Sequence, residues 1–114
     1  MAFQIEFFNQ QVQASIEAWP TGIAASFVRI TEQMLMNGPK LGMPYTKAMG
    51  SGLFEIRARG PEGIGRAFYC MQKEQRITIL HGFIKKSQKT PQADLIKAES
   101  LRKLYFTRNT LKNE

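Results

Sequence analysis

The stretch Leu53–Ile84 constrains the fold more than any other part of the chain. Leu53–Arg59 alternates, with Phe54, Ile56 and Ala58 apolar and Glu55, Arg57 and Arg59 polar. A period of two marks a strand with one face buried. Gly60-Pro61-Glu62-Gly63 is a loop signal. Arg66–Lys73, rich in Phe and Tyr, forms the next strand. Glu74-Gln75 leaves room only for a tight turn before a third strand, Arg76–Ile84. Its run ITILHGFI has few polar residues, which predicts a central strand covered on both faces. Three strands with such short connections make a meander. It carries arginines on its strands and ends in the basic loop Lys85-Lys86-Ser87-Gln88-Lys89.

The flanking segments supply helices. Phe3–Phe8 (FQIEFF) predicts a short first strand, and Gln11–Trp19 a short helix with Val12, Ile16 and Trp19 on one face, stopped by Pro20. In the next helix Ile23, Phe27, Ile30 and Met34 form one apolar stripe, with Thr21 placed to cap its start and Asn37-Gly38-Pro39 to end it. Lys40–Gly52, with four glycines and prolines among Gly42, Pro44, Gly50 and Gly52, reads as a loop, either a connector or a binding rim carrying Lys40, Tyr45 and Lys47. Thr90-Pro91 is a helix-start signal. Leu95, Ala98, Leu101 and Tyr105 then give the last helix an apolar face beside Lys97, Arg102, Lys103, Arg108 and Lys112. The order is β-α-α-β-β-β-α, an α+β domain with helices segregated from a mostly antiparallel sheet. Residues 1–114 form a single domain.

Charge is distributed unevenly. The formal net charge is +7. Residues 1–39 contribute 1 − 3 = −2, from Arg29 against Glu6, Glu17 and Glu32, and residues 40–114 contribute 15 − 6 = +9. A basic surface on the sheet and C-terminal half suits a polyanionic or acidic partner; the alternative is a solvated basic face with no ligand. No apolar run is long enough for a membrane span, and the N-terminus lacks the pattern of a secretion signal. The single cysteine, Cys70, lies mid-strand as a small buried side chain. A reducing cytoplasm is the expected location.

Three strings then carry a resemblance: Gly52-Leu53-Phe54-Glu55-Ile56-Arg57, Arg66-Ala67-Phe68-Tyr69, and Ile79-Leu80-His81-Gly82-Phe83-Ile84-Lys85-Lys86-Ser87-Gln88-Lys89-Thr90-Pro91. Together with the basic helix that follows, they resemble the RelE/HigB/ParE toxin superfamily, and within it the phage-derived HigB-like branch. The resemblance spans residues 40–108 by motif and the whole chain by element order. It implies a RelE-like fold and the toxin of a type II toxin–antitoxin pair, an endoribonuclease (mRNA interferase) that cleaves mRNA in the ribosomal A site. The implied partners are the ribosome, mRNA and a cognate helix-turn-helix antitoxin, with no cofactor. Two alternatives stay open: a ParE-like DNA gyrase inhibitor, and an inactive phage-derived nucleic-acid-binding module of the same fold, since one fold hosts several functions.

No pair or triad of His, Cys and carboxylates has metal-ligand spacing, which argues against a two-metal nuclease. Attack of a ribose 2′-OH on its own phosphate needs instead a base, a cation for the developing charge and an acid for the leaving oxygen. The resemblance aligns Arg57 and Arg66 with catalytic basic residues on the second and third strands of the family fold. Lys86, or its neighbour Lys85, aligns with a catalytic arginine after the last strand. Arg66 is expected to stabilise the phosphate, with Arg57 and Lys85/Lys86 orienting substrate or assisting proton transfer. For each arginine the competing reading is a strand cation paired with an acid such as Glu55. RelE carries a lysine where Glu55 stands, and its tyrosine early in the last helix has no counterpart here, the position falling near Gln92. His81 is therefore the natural candidate base, against the reading of a hydrogen-bonded structural histidine. Tyr45 and Tyr105 stand behind it. Lys40, Lys47, Arg59, Lys89, Lys97 and Arg102, with Lys85 and Lys86, are candidate RNA contacts, and the same surface suits an acidic antitoxin segment.

Overall fold

A computed structural model describes residues 3–85 and 92–112, with side chains described for 3–84 and 92–106. The elements are β1 (Gln4–Phe7), α1 (Gln10–Glu17), α2 (Thr21–Asn37), β2 (Thr46–Gly50), β3 (Leu53–Gly60), β4 (Gly63–Gln72), β5 (Arg76–Lys85) and α3 (Gln92–Lys112), with a short 3-10 turn at Lys73–Gln75. They build one five-stranded sheet in the order β1-β5-β4-β3-β2. Only the β1–β5 pairing is parallel; β2–β3, β3–β4 and β4–β5 are antiparallel. The α+β class and the mostly antiparallel meander are as the sequence predicts. The predicted loop Lys40–Gly52 is not all loop, because Thr46–Gly50 pairs with β3 as an edge strand. The arginine-bearing strands are therefore the third and fourth in the chain.

The sheet separates two apolar clusters. On one face α1 and α2 pack through Ile16, Trp19, Ile23, Phe27, Ile30 and Met34 onto Ile56, Ala58, Ala67, Tyr69, Ile77 and Ile79. The four-residue stripe predicted for α2 is wholly buried. On the other face α3 lays Ala98, with Leu95 and Leu101 beside it, over Leu53, Phe68, Cys70 and Leu80. β5 is central, between β1 and β4, and is covered on both faces as predicted, with Ile77 and Ile79 in the first cluster and Leu80 in the second. Close approach is bought by missing side chains: a Cβ on Gly65 would lie 2.6 Å from the Trp19 ring and 2.7 Å from Ile23.

The helix caps differ from expectation. Asn9 caps α1 by accepting from Val12 N–H at 2.9 Å. Thr21 does not cap α2, whose N-cap residue is Pro20 and makes no side-chain bond. The carboxylate of Glu62, in the β3–β4 turn, takes that role and accepts from the N–H groups of Gly22 (2.9 Å) and Ile23 (3.1 Å). The Gly22 bond is the main reason the Glu62 carboxyl is held below the usual carboxylate range. The predicted cap at Thr90-Pro91 lies outside the described residues.

Candidate functional site

In an antiparallel ladder, residues directly opposite each other point to the same face. Arg57 on β3 faces Arg66 on β4, and Arg66 in turn faces Phe83 on β5. Glu55 is opposite Phe68, and Phe68 opposite His81. The sheet thus gathers Glu55, Arg57, Arg66 and His81 on one face, the face that α3 partly covers. Lys47 joins them from β2, opposite Glu55.

Arg66 is the most buried of these cations. Its Nη1 donates to both Glu55 oxygens at 3.0 Å, and the two side chains are 5% and 0% exposed. The competing reading of a strand arginine paired with Glu55 is thus realised for Arg66. Arg57 is half-buried, and its Nη1 lies 3.7 Å from Met43 Sδ. Among the described residues no carboxylate forms an ion pair with it. Of the two arginines, Arg57 is the one that presents its charge toward solvent.

His81 bridges the sheet to α3. Its Nε2 lies 2.7 Å from Asp94 Oδ1 in the first turn of α3, and its ring stacks on Phe83 with centroids 5.9 Å apart. A carboxylate on one imidazole nitrogen fixes the ring and its tautomer, a geometry that serves equally to anchor a helix and to orient a base. A second tie holds α3 further along, where the hydroxyls of Tyr105 and Thr78 both donate to Glu6 Oε1, the latter at 3.0 Å. Tyr105 is thereby committed to packing.

The remaining predicted contacts scatter. Lys40 sits on the opposite face, its Nζ 5.8 Å from the centroid of the Phe54 ring. Lys97 is exposed on α3, and Arg102 lies 5.5 Å from the Phe106 ring centroid. Arg59 is exposed near the end of β3. Lys85 takes the register position opposite Ile64, and Lys86 and Lys89 lie outside the described residues.

A family model for the phage derived protein Gp49-like (DUF891) family matches residues 14–103, which is most of the chain. The chain belongs to the Gp49-like family. No curated protein is similar to it. Among solved structures, this Gp49-like protein superposes on a chain of the archaeal RelE–RelB complex from Pyrococcus horikoshii OT3 with a TM-score of 0.55. The match has 19% identity and covers 75% of this chain and 98% of the other. The fold is RelE-like, as the sequence resemblance implies. No described helix of the Gp49-like protein is long and apolar enough to cross a membrane.

Two features of the site escaped the sequence. Asp94 as the partner of His81 is one, since the pairing depends on how α3 docks. The other is a groove of about 860 Å³ between α2 and the 41–45 loop, lined by Arg29, Glu32, Tyr45, Arg57 and Arg59 among others. Arg29 carried no signal, because nothing in its neighbourhood of the sequence is basic.

Proposed function

We propose that this Gp49-like protein is the toxin of a toxin–antitoxin pair and an endoribonuclease acting on mRNA at the ribosome. The family match and the RelE-like fold support the toxin class. The neighbouring structure is a complex of RelE with RelB, which supports an antitoxin as the protein's partner. The observation that carries the ribonuclease reading is the shared face of β3, β4 and β5. It sets Arg57 and Arg66 opposite each other, with His81 on the next strand and its partner Asp94 in the first turn of α3.

The chemistry needs only this chain's residues. The ribose 2′-oxygen attacks the adjacent phosphorus, the P–O5′ bond breaks, and the products are a 2′,3′-cyclic phosphate and a 5′-hydroxyl. His81, with Nε2–H donated to Asp94, takes the 2′-OH proton at Nδ1. Arg57 grips the phosphate oxygens as negative charge grows on them, and a planar guanidinium suits that bidentate contact. Arg66, fixed by Glu55, backs the phosphate site from beneath. Lys85 or Lys86 assists transfer of a proton to the leaving 5′-oxygen.

The test uses purified ribosomes programmed with an mRNA. Cleavage by the wild type and loss of cleavage in Arg57→Ala and Arg66→Ala are the expected results. Inhibition of gyrase supercoiling with mRNA left intact would replace the reading by the gyrase one. Intact cleavage in both arginine variants would refute the assigned site.

A further inference from the structure

We infer that the groove between α2 and the 41–45 loop is a binding track for single-stranded RNA, with Arg29 and Arg59 holding backbone phosphates and Tyr45 stacking a base. The inference deepens the ribonuclease reading, because Arg57 belongs both to the groove and to the proposed catalytic face.

The groove owes its existence to an early end of β2. The last β2–β3 partners toward the β3–β4 turn are Thr46 and Ile56. Beyond them only the Arg57 N–H is met, by Tyr45 O at 2.8 Å. β3 runs on to Gly60, where the N-terminus of α2 closes the space: a Cβ there would lie 2.6 Å from Ile23 N. The free strand margin between these two stops is flanked by α2 on one side and by the loop on the other.

Its charge is positive. Arg29, Arg57 and Arg59 line it against one carboxylate, Glu32, a sum of 3 − 1 = +2. Arg29 is the one cation of residues 1–39, and it lies in this groove. Arg29 and Arg59 are both exposed, so their charge is available to a ligand. A volume of about 860 Å³ is at the upper end for small-ligand sites and open enough for a chain to pass.

Tyr45 selects nucleic acid over other polyanions. The residue is 51% exposed. Its backbone, by contrast, is fixed: Tyr45 N–H and Thr46 N–H both donate to Gly42 O at 3.0 Å, and Gly42 N–H donates to Thr46 Oγ1 at 2.8 Å. An exposed aromatic ring on a rigid support, amid arginines, is the combination that binds single strands, phosphates on the cations and bases on the ring. An acidic peptide adding as a strand would need a longer free edge. By ladder alternation only the Arg57 C=O and the N–H and C=O of Arg59 face that side before α2 intervenes, too few for an added strand.

The test measures fluorescence anisotropy of a labelled oligouridylate with the purified protein across a salt series. Each lost phosphate contact lowers the slope of log K against log salt by about 0.7 for a single strand, so Arg29→Ala/Arg59→Ala is expected to lower it by about 1.4. Lys73→Ala, exposed at the far end of the meander, is the charge control and is expected to leave the slope at the wild-type value. Tyr45→Ala is expected to weaken binding about tenfold with the slope retained. All four positions are exposed, and circular dichroism melts confirm that each variant folds. If the double variant behaves like Lys73→Ala, the inference is overturned. It is also overturned if an oligoglutamate peptide displaces the RNA through the same arginines while Tyr45→Ala binds as wild type, which would assign the groove to an acidic protein segment. Because free RNA is the probe, groove-dependent binding without ribosomal cleavage would leave the track standing and remove the ribonuclease. Cleavage with groove-independent binding would do the reverse.

Discussion

Arg66 Nη1 donates to both carboxylate oxygens of Glu55 at 3.0 Å, in a pair almost entirely removed from water. Glu55 lies opposite Phe68, so the pair forms diagonally across β3 and β4 and next to the second apolar cluster. Removing one partner of a buried ion pair leaves an uncompensated charge and costs about 3–5 kcal/mol, whereas replacing both by apolar residues of similar volume is often neutral. Glu55→Gln is therefore expected to destabilise the fold by about 3–5 kcal/mol in urea denaturation, and Glu55→Met/Arg66→Met to recover most of that loss. If the double variant cleaves ribosome-bound mRNA as well as wild type, Arg66 is a structural cation and Arg57 alone serves the phosphate.

Glu62 caps α2 from a position 40 residues away in sequence, through Gly22 and Ile23. Its carboxyl is held below the usual carboxylate range, first by the Gly22 N–H. A group whose folded pKa is depressed contributes stability that is present above its unfolded value, the ordinary carboxylate value, and lost as pH falls through the folded value. Glu62→Gln should accordingly lower Tm at neutral pH. The gap between the two melting curves should close as the pH drops below the folded pKa of Glu62. A gap that persists unchanged into strong acid would show that the carboxylate charge is not what caps the helix.

What was legible in the sequence was periodic. The Ile23-Phe27-Ile30-Met34 stripe and the alternation at Phe54, Ile56 and Ala58 each declare a buried face, and both faces are buried or half-buried in the first cluster. β2 was not legible, because TKAMG has no alternation and buries only Thr46; it is a strand by virtue of its pairing with β3. The Glu62 cap was invisible for a related reason, since local capping rules look within one turn of the helix start. For the site, the cations could be named from the sequence but not ranked. Glu55 neutralises Arg66 through a diagonal contact, and Arg29 reaches the groove only because α2 crosses the free end of β3.

Cys70 is buried in the second cluster, and burial pushes its thiol up to about 11. The thiolate is the reactive form, so at pH 8 only about one molecule in a thousand carries it. Alkylation by iodoacetamide is expected to be slow in the native protein and to accelerate sharply in denaturant. Rapid labelling of the native protein at pH 8 would mean that α3 lifts from the sheet often enough to expose strand β4.

The His81–Asp94 contact admits two roles that one substitution separates. As an anchor, it ties the first turn of α3 to β5 at 2.7 Å and contributes only to stability. As an orienting pair, it also holds the imidazole ready to accept a proton, and general base catalysis is worth roughly 10²–10⁴-fold in rate. Asp94→Asn keeps a hydrogen-bonding group of the same shape while removing the charge that stabilises the imidazolium. The expected outcome is a fall of about 100-fold or more in the single-turnover rate of mRNA cleavage on the ribosome. The urea midpoint should move little, because Tyr105 and Glu6 still hold α3. His81→Ala should match that loss in rate, and combining the two substitutions should add little, since both act on one proton transfer. A lowered urea midpoint with an unchanged rate per folded molecule would leave His81 as an anchor and move the search for the base elsewhere on the same face.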